Sequence, residues 1–299
     1  MAAMAWQTTG DVTEFLAAAG PYLRRERARN TVVLSVTETM RLNAAAAAGK
    51  SFPAAGQAAS AGLPLFGWWS DQAGAVAGAF MHTPPFPVVL TAVAPAAAAE
   101  LAAVTMAARP VLGVNAYPEV AAAFAGGWRA GGRGRRADVH RRQRLYRLAE
   151  LAWPDPAPAG AARLAGDHQA PLTAAWFAAF AREVDDMGSG EDHSAVVREK
   201  ISHGGVTVWE AGGEIVSIAC NTVPVIGMVR IGPVYTPPEL RGRGYASAAT
   251  AALSQRLLKE GAEEVVLYTD LANPVSNSIY QRIGYQSVED RVVLAFSTD

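Results

Sequence analysis

The chain has 299 residues and a formal charge of −1, a length that fits two domains of about 150 residues better than one. Hydrophobic residues make up 51% and charged residues 18%, which excludes a largely disordered chain, and the near-zero charge excludes a whole-molecule field that would gather nucleic acid or an anionic membrane. A single cysteine, Cys220, excludes a disulfide framework and a cysteine-built structural zinc site.

The cytoplasm, a reducing compartment, is the expected location. The most apolar stretch, residues 73–108, is interrupted by His82, Pro84, Pro85, Pro87 and Pro95, so no membrane span is expected. Residues 1–9 carry no basic residue, and no signal peptide is expected. The preference for Arg over Lys and the abundance of Ala read as the codon usage of a GC-rich bacterium.

In chain order, the pattern predicts helices over residues 12–28, with Phe15, Leu16 and Leu23 on one face, and 31–42. An Ala-, Gly- and Ser-rich stretch around Pro53, residues 44–61, reads as a long loop. Strands follow over 63–69 and 75–82, joined by a turn at 70–74, then a strand over 87–93, a helix over 96–108, a strand over 110–114, a helix over 119–129 and a strand over 138–148. Alternating prolines at 154, 156 and 158 enforce an extended linker. Beyond it the order repeats: helices over 172–184, with Trp176, Phe177 and Phe180, and 194–201; strands over 206–210 and 214–222 about the turn 211–213; strand 228–235, helix 245–260, strand 264–269, helix 274–283 and strand 291–295. Trp69 and Trp209 occupy corresponding places. The expected fold is α/β (α+β), a duplicated unit with domains 1–150 and 151–299.

The chemistry concentrates in residues 228–285. A strand ends at Val234, Tyr235 and Thr236; two prolines stop its pairing; Arg241, Gly242, Arg243, Gly244, Tyr245, Ala246 and Ser247 then lead into a helix. Strand, glycine loop and helix point unpaired backbone N–H groups and a positive dipole end at an anion, and pyrophosphate is the expected ligand. After the next strand, Asn273 suits a helix N-cap and Pro274 the first helical position. Asn277 and Tyr280 share the face that Asn273 begins.

Arg241-x-x-Gly244-x-Ala246 after a strand, with Asn273-x-x-Ser276-x-x-x-Tyr280-x-x-x-Gly284-Tyr285 one strand later, resembles the acetyl-CoA-binding core of the GNAT superfamily of N-acetyltransferases. The resemblance is clear over residues 165–299; the first half matches it only in order of elements. It implies two GNAT-like domains, each a mixed, mostly antiparallel sheet flanked by helices, with acetyl-CoA as acetyl donor. The strand end at Val234, Tyr235 and Thr236 would hold the pantetheine arm and thioester, amides from Gly242 to Ser247 the pyrophosphate, and Asn273, Ser276 and Asn277 the coenzyme arm, with Tyr280 protonating the departing thiolate. An amine, expected to be a small molecule, would attack the thioester directly. Alternatives are a mycothiol-synthase-type acetyltransferase and a non-catalytic coenzyme-sensing protein.

The general base stays open among Glu210 and Asp270, each closing a strand, and the acidic cluster of Glu183, Asp185, Asp186, Glu191, Asp192 and His193. The five histidines show no paired ligand spacing, so no metal is expected. A second Arg-x-x-Gly-x-Gly pattern, Arg129 to Gly134, follows a helix and not a strand; at the place corresponding to Arg241 the first half has only Pro95 and a run of alanines ending at Glu100. The first half therefore reads as a degenerate copy. The arginines between 133 and 147 lack an accompanying aromatic set and read as a solvated loop and edge strand, without a nucleic-acid partner. A homodimer is left open.

Overall fold

The computed structural model describes residues 5–48, 62–184 and 192–298. The chain order is β1 (Ala5–Thr9), α1 (Val12–Arg25), α2 (Thr31–Ala48), β2 (Leu65–Ser70), β3 (Val76–His82), β4 (Val88–Leu90), α3 (Pro95–Ala108), β5 (Gly113–Ala116), α4 (Pro118–Ala130) and β6 (Arg135–Leu148). It continues with β7 (Ala161–Leu164), α5 (Ala170–Glu183), α6 (Ser194–Ser202), β8 (Val206–Ala211), β9 (Glu214–Asn221), β10 (Met228–Tyr235), α7 (Tyr245–Lys259), β11 (Glu264–Asp270), α8 (Pro274–Arg282) and β12 (Tyr285–Thr298). Most of the Ala-rich stretch 44–61, and the acidic residues Asp185, Asp186 and Glu191, lie outside the described residues.

Two compact units form: Met1–Arg144 with Glu289–Asp299, and Leu145–Val288. In the first, neighbouring strands run β1, β2, β3, β4, β5, β12. Every pairing is antiparallel except β4 with β5. Asp11 caps α1 by accepting the amides of Thr13 and Glu14, and Phe15, Ala19 and Leu23 bury the apolar face read from the sequence. The alanines of α3 allow close packing on α4, where Leu101, Ala121, Phe124 and Trp128 join one core. Trp6 anchors β1: its indole donates to the carbonyl of Ala97 at 2.8 Å and its ring lies 5.6 Å from Trp69. No strand is expected at β1 from the sequence, because five residues with one large apolar side chain give too short a period-2 signal.

The second unit repeats the plan. Strands run β11, β10, β9, β8, β7, antiparallel except for β10 with β11. Side chains alternate across the sheet. Val206, Val208, Ile218, Cys220 and Tyr235 pack with Phe177 of α5 and with Val197 and Ile201 of α6. Trp209, Ala219, Val229, Ile231, Val265 and Leu267 pack on the other side with Ala248, Ala249, Leu253 and Leu257 of α7. Leu253 is fully buried, and its truncation to Ala would cost about 2–5 kcal/mol. Like β1, β7 has no counterpart in the sequence reading.

The last strand departs from expectation. Residues 291–295 read as the final strand of the second half, yet Val292 to Ala295 pair antiparallel with Ala116 to Gly113 of β5. The C-terminal segment thus completes the first unit, and the units divide after Arg144 and again after Val288 instead of once at 150. An alternating pattern specifies which face of a strand is buried and leaves open which edge it joins.

Candidate functional site

The site is built where β10 and β11 part. Their parallel register runs from Met228 opposite Glu264 to Ile231 opposite Leu267 and stops there, although β10 continues to Tyr235 and β11 to Asp270. On its other edge β10 pairs Ile231 with Asn221 and then Val234 with Ala219, so a bulge interrupts the ladder at Gly232 and Pro233. Proline donates nothing to a ladder and glycine accepts the bulge geometry at φ 150°. The result is a cleft between the ends of β10 and β11: toward β11, Val234, Tyr235 and Thr236 have no register partner, whereas Val234 and Tyr235 keep theirs on β9.

Beyond β10 the chain passes into the loop of Arg241 to Gly244. Gly242 and Gly244 both have positive φ, 76° and 81°, a region that costs other residues about 1–2 kcal/mol. Space around a Cβ at Gly242 is open. Gly244 is the N-cap of α7 and supplies no side-chain acceptor. Within the first turn only Ala248 donates its amide, to Gly244 at 3.0 Å; the amides of Tyr245, Ala246 and Ser247 are left without a helical acceptor, as helix geometry requires. A 15-residue helix thus presents its positive dipole end beside the loop, an arrangement suited to a phosphate group.

The Arg241 guanidinium does not point at those amides. Its Nη2 meets both oxygens of Glu183 at 2.7 Å, and its Nε donates to the carbonyl of Thr236 at 2.8 Å. It also lies 5.7 Å from the ring centroid of Tyr235, whose ring is 5.9 Å from that of Trp176. Both charged side chains are more than two-fifths exposed, a setting in which an ion pair contributes about 0–1 kcal/mol. The end of β10 is held further by Ser217, whose hydroxyl contacts the Tyr235 carbonyl at 3.0 Å and the Thr236 hydroxyl at 2.9 Å. The sequence places Glu183 in an acidic cluster but gives no sign of its bond to Arg241, since the two are 58 residues apart. Arg243 donates to the carbonyl of Glu239 at 3.3 Å.

On α8, Asn273 caps the helix by accepting the Ser276 amide at 3.0 Å, with Pro274 in the first turn. Asn277 is fully engaged inside the fold: its Nδ2 donates to the carbonyls of Asp270 at 2.8 Å and Asn273 at 2.7 Å, and its Oδ1 accepts from the hydroxyl of Tyr146 at 2.9 Å. Two amides on one face therefore serve two ends: Asn273 is exposed at the helix start, and Asn277 locks the turn behind it. Gly284 ends this segment at φ 99°, where a Cβ would collide with the carbonyl oxygen of Glu150. Tyr280 is 9% exposed and packs edge-on against Tyr285 at 6.1 Å. Burial pushes its phenol up to about 12.

Both carboxylates that close strands already have partners. Glu210 is ion-paired with Arg163, and Oδ1 of Asp270 accepts the Ala272 amide at 2.8 Å. Cys220 lies fully buried with its thiol pushed up to about 12 by desolvation. Among the described residues no group of three or more His, Cys, Asp or Glu side chains could hold a metal ion, and no helix is long and apolar enough to cross a membrane.

The corresponding place in the first unit is filled from within. The parallel register of β4 and β5 ends at Val89 opposite Asn115. Arg291, 4% exposed at its side chain, donates Nη2 to the carbonyls of Leu90 at 2.7 Å and Asn115 at 3.0 Å, and Nε to the Asn115 side chain at 3.1 Å. Glu289, equally buried, pairs with Arg291 and accepts from Tyr117. The helix that follows, α3, starts at Pro95 after Ala94 and has no side-chain cap. The second Arg-x-x-Gly-x-Gly pattern lies at the end of α4 and in the turn after it.

A family model for FR47-like proteins matches residues 223–294, the segment holding β10, the glycine loop, α7, β11 and α8. Among solved structures, a tandem GNAT protein from the clavulanic acid biosynthesis pathway is similar over 98% of this chain and 98% of its own, with 15% identity and a TM-score of 0.52. The chain has the tandem GNAT fold. A Drosophila protein solved by a structural genomics consortium is similar to this chain at TM-score 0.66 and 12% identity over 99% of both chains. A GCN5-related N-acetyltransferase from Sphaerobacter thermophilus is similar over 78% of this chain and 80% of its own, with 16% identity and a TM-score of 0.52. No curated protein matches in sequence. The GNAT fold agrees with the mixed, mostly antiparallel architecture expected from the two motifs.

Proposed function

We propose that the chain is an acetyl-CoA-dependent N-acetyltransferase whose second unit alone is active, transferring an acetyl group to a primary amine of a small acceptor. The observation that carries this reading is the junction of the β10–β11 cleft with the uncapped start of α7, where positive-φ glycines leave backbone amides open to a pyrophosphate. When bound, acetyl-CoA supplies an activated acyl thioester. Amides from Gly242 to Ser247 hold the pyrophosphate, the strand end at Val234 to Thr236 lines the pantetheine arm, and the exposed amide of Asn273 reaches the arm from the other side. A strand amide facing the cleft stabilises the oxyanion of the tetrahedral intermediate.

Tyr280 serves as general acid. Desolvation alone raises its phenol, and a pKa near 12 keeps it protonated at neutral pH, as donation to a thiolate requires. Asp270 and Glu210 are the carboxylates assigned to deprotonating the amine; Asp270 keeps one oxygen outside its turn bond, whereas Glu210 must act beside Arg163. The first unit takes no coenzyme, because Arg291 occupies the place where its two strands part. The test is a thiol-release assay with acetyl-CoA and a panel of primary amines. Release that depends on the amine and falls in Tyr280→Phe supports the reading; coenzyme binding without acceptor-dependent release at any pH contradicts it.

A further inference from the structure

Arg241 is an odd tenant. The loop that carries it presents amides for an anion, yet its own guanidinium is turned away, held by both oxygens of Glu183 at 2.7 Å and lying 5.7 Å from the Tyr235 ring centroid. Carboxylate, phenol ring and the neighbouring indole of Trp176 together make a place suited to a cation: charge from one side, the face of an aromatic quadrupole from another. Tyr235 is the last residue of β10, so this place borders the cleft assigned above to the thioester.

We propose that Glu183, Tyr235 and Trp176 form a binding subsite for a second cationic group of the acceptor, the place that the Arg241 guanidinium takes in this structure. The inference rests on the reading of the glycine loop as a pyrophosphate site. The Arg241–Glu183 pair is solvent-exposed, a setting in which an ion pair contributes about 0–1 kcal/mol, and the Thr236 carbonyl is the other hydrogen-bond partner that the guanidinium gives up on moving. A pyrophosphate on the adjacent amides offers the guanidinium a stronger, charge-assisted partner. Glu183 is then released to an alkylammonium or guanidinium group. A reacting amine must lose its proton to attack, so the cation held by Glu183 is a different group on the same molecule. The acceptor class that follows is a diamine or polyamine, or an amine bearing a guanidinium.

Titration calorimetry on the full chain, using 1,5-diaminopentane and 1-aminopentane as probes with and without saturating coenzyme A, tests this. The diamine should bind at least about tenfold more tightly than the monoamine when coenzyme A is present, and the preference should be small without it. Arg241→Gln should show the same preference with no coenzyme, because Glu183 is free. In Glu183→Gln with coenzyme A, the preference should vanish while coenzyme affinity is not weakened. Equal affinity for the two amines in Arg241→Gln, or a preference that survives Glu183→Gln, overturns the subsite. If the wild-type chain takes up no coenzyme A while Arg241→Gln still prefers the diamine, the subsite stands and the coenzyme reading of the loop falls.

Discussion

The hydroxyl of Tyr146 donates to Oδ1 of Asn277 at 2.9 Å, across 131 residues of sequence. Tyr146 is completely buried, and the same amide ties down the carbonyls of Asp270 and Asn273. Asn277→Ala therefore takes away the acceptor of the Tyr146 hydroxyl and the second donor of two turn carbonyls that keep their backbone donors, and should lower the unfolding free energy by about 1–2 kcal/mol in urea denaturation. An unchanged midpoint with weakened coenzyme binding would instead assign Asn277 to the ligand.

Tyr280→Phe keeps the ring that packs edge-on against Tyr285, so stability should hold while kcat falls by about 10²–10⁴-fold with coenzyme affinity within about twofold. The phenol also sets a pH window. Its folded pKa of about 12 lies above the unfolded value of ~10, so the folded state retains the proton more firmly. That contribution is complete below pH ~10 and is lost as the pH climbs through about 12. Unfolding measured between these values should show a shallower alkaline loss in Tyr280→Phe than in the wild type.

Arg291 and Glu289 form a pair with side chains only 4% and 5% exposed. Arg291→Met leaves Glu289 beside Tyr117 with a weakened set of cationic partners, and should cost about 3 kcal/mol or more. Adding Glu289→Gln should restore part of that loss, because the uncompensated charge is gone. Additive losses in the double variant would show that the two residues act independently.

Cys220 should be inert. With its thiol buried and pushed up to about 12, about one molecule in a thousand carries the thiolate at pH 9. Labelling by a disulfide reagent at pH 8 should be slow in the native protein, fast in urea, and should not inhibit acetyl transfer beforehand. Rapid labelling of the native chain would place the cysteine in an open site.

The order of elements in the second unit was legible because its strands and helices carry strong period-2 and 3.6 patterns, and its loops carry glycines where positive φ is needed. Gly244 and Asn273 fall where their residue types suggest, the one starting α7 and the other capping α8. What the sequence hid was pairing at long range. Arg291 reads as an ordinary polar residue in a strand, and only the pairing of Val292 with Ala116 carries it to the ends of β4 and β5. Arg241 reads as charge for a phosphate, and only the position of α5 sets Glu183 against it. Asn277 looks like a ligand amide on a helix face, because Tyr146 lies far away in sequence. Each depends on which element lies beside which, and local pattern does not encode that.

The most direct test of a single coenzyme site in the second unit is calorimetric titration of the full chain with acetyl-CoA, alongside Gly244→Glu, which sets a carboxylate at the loop's αL position. One coenzyme per chain, with binding abolished by Gly244→Glu in a folded protein, is the predicted result. Two per chain would show that Arg291 does not close the first unit, and no binding to the wild type would contradict the acetyltransferase account.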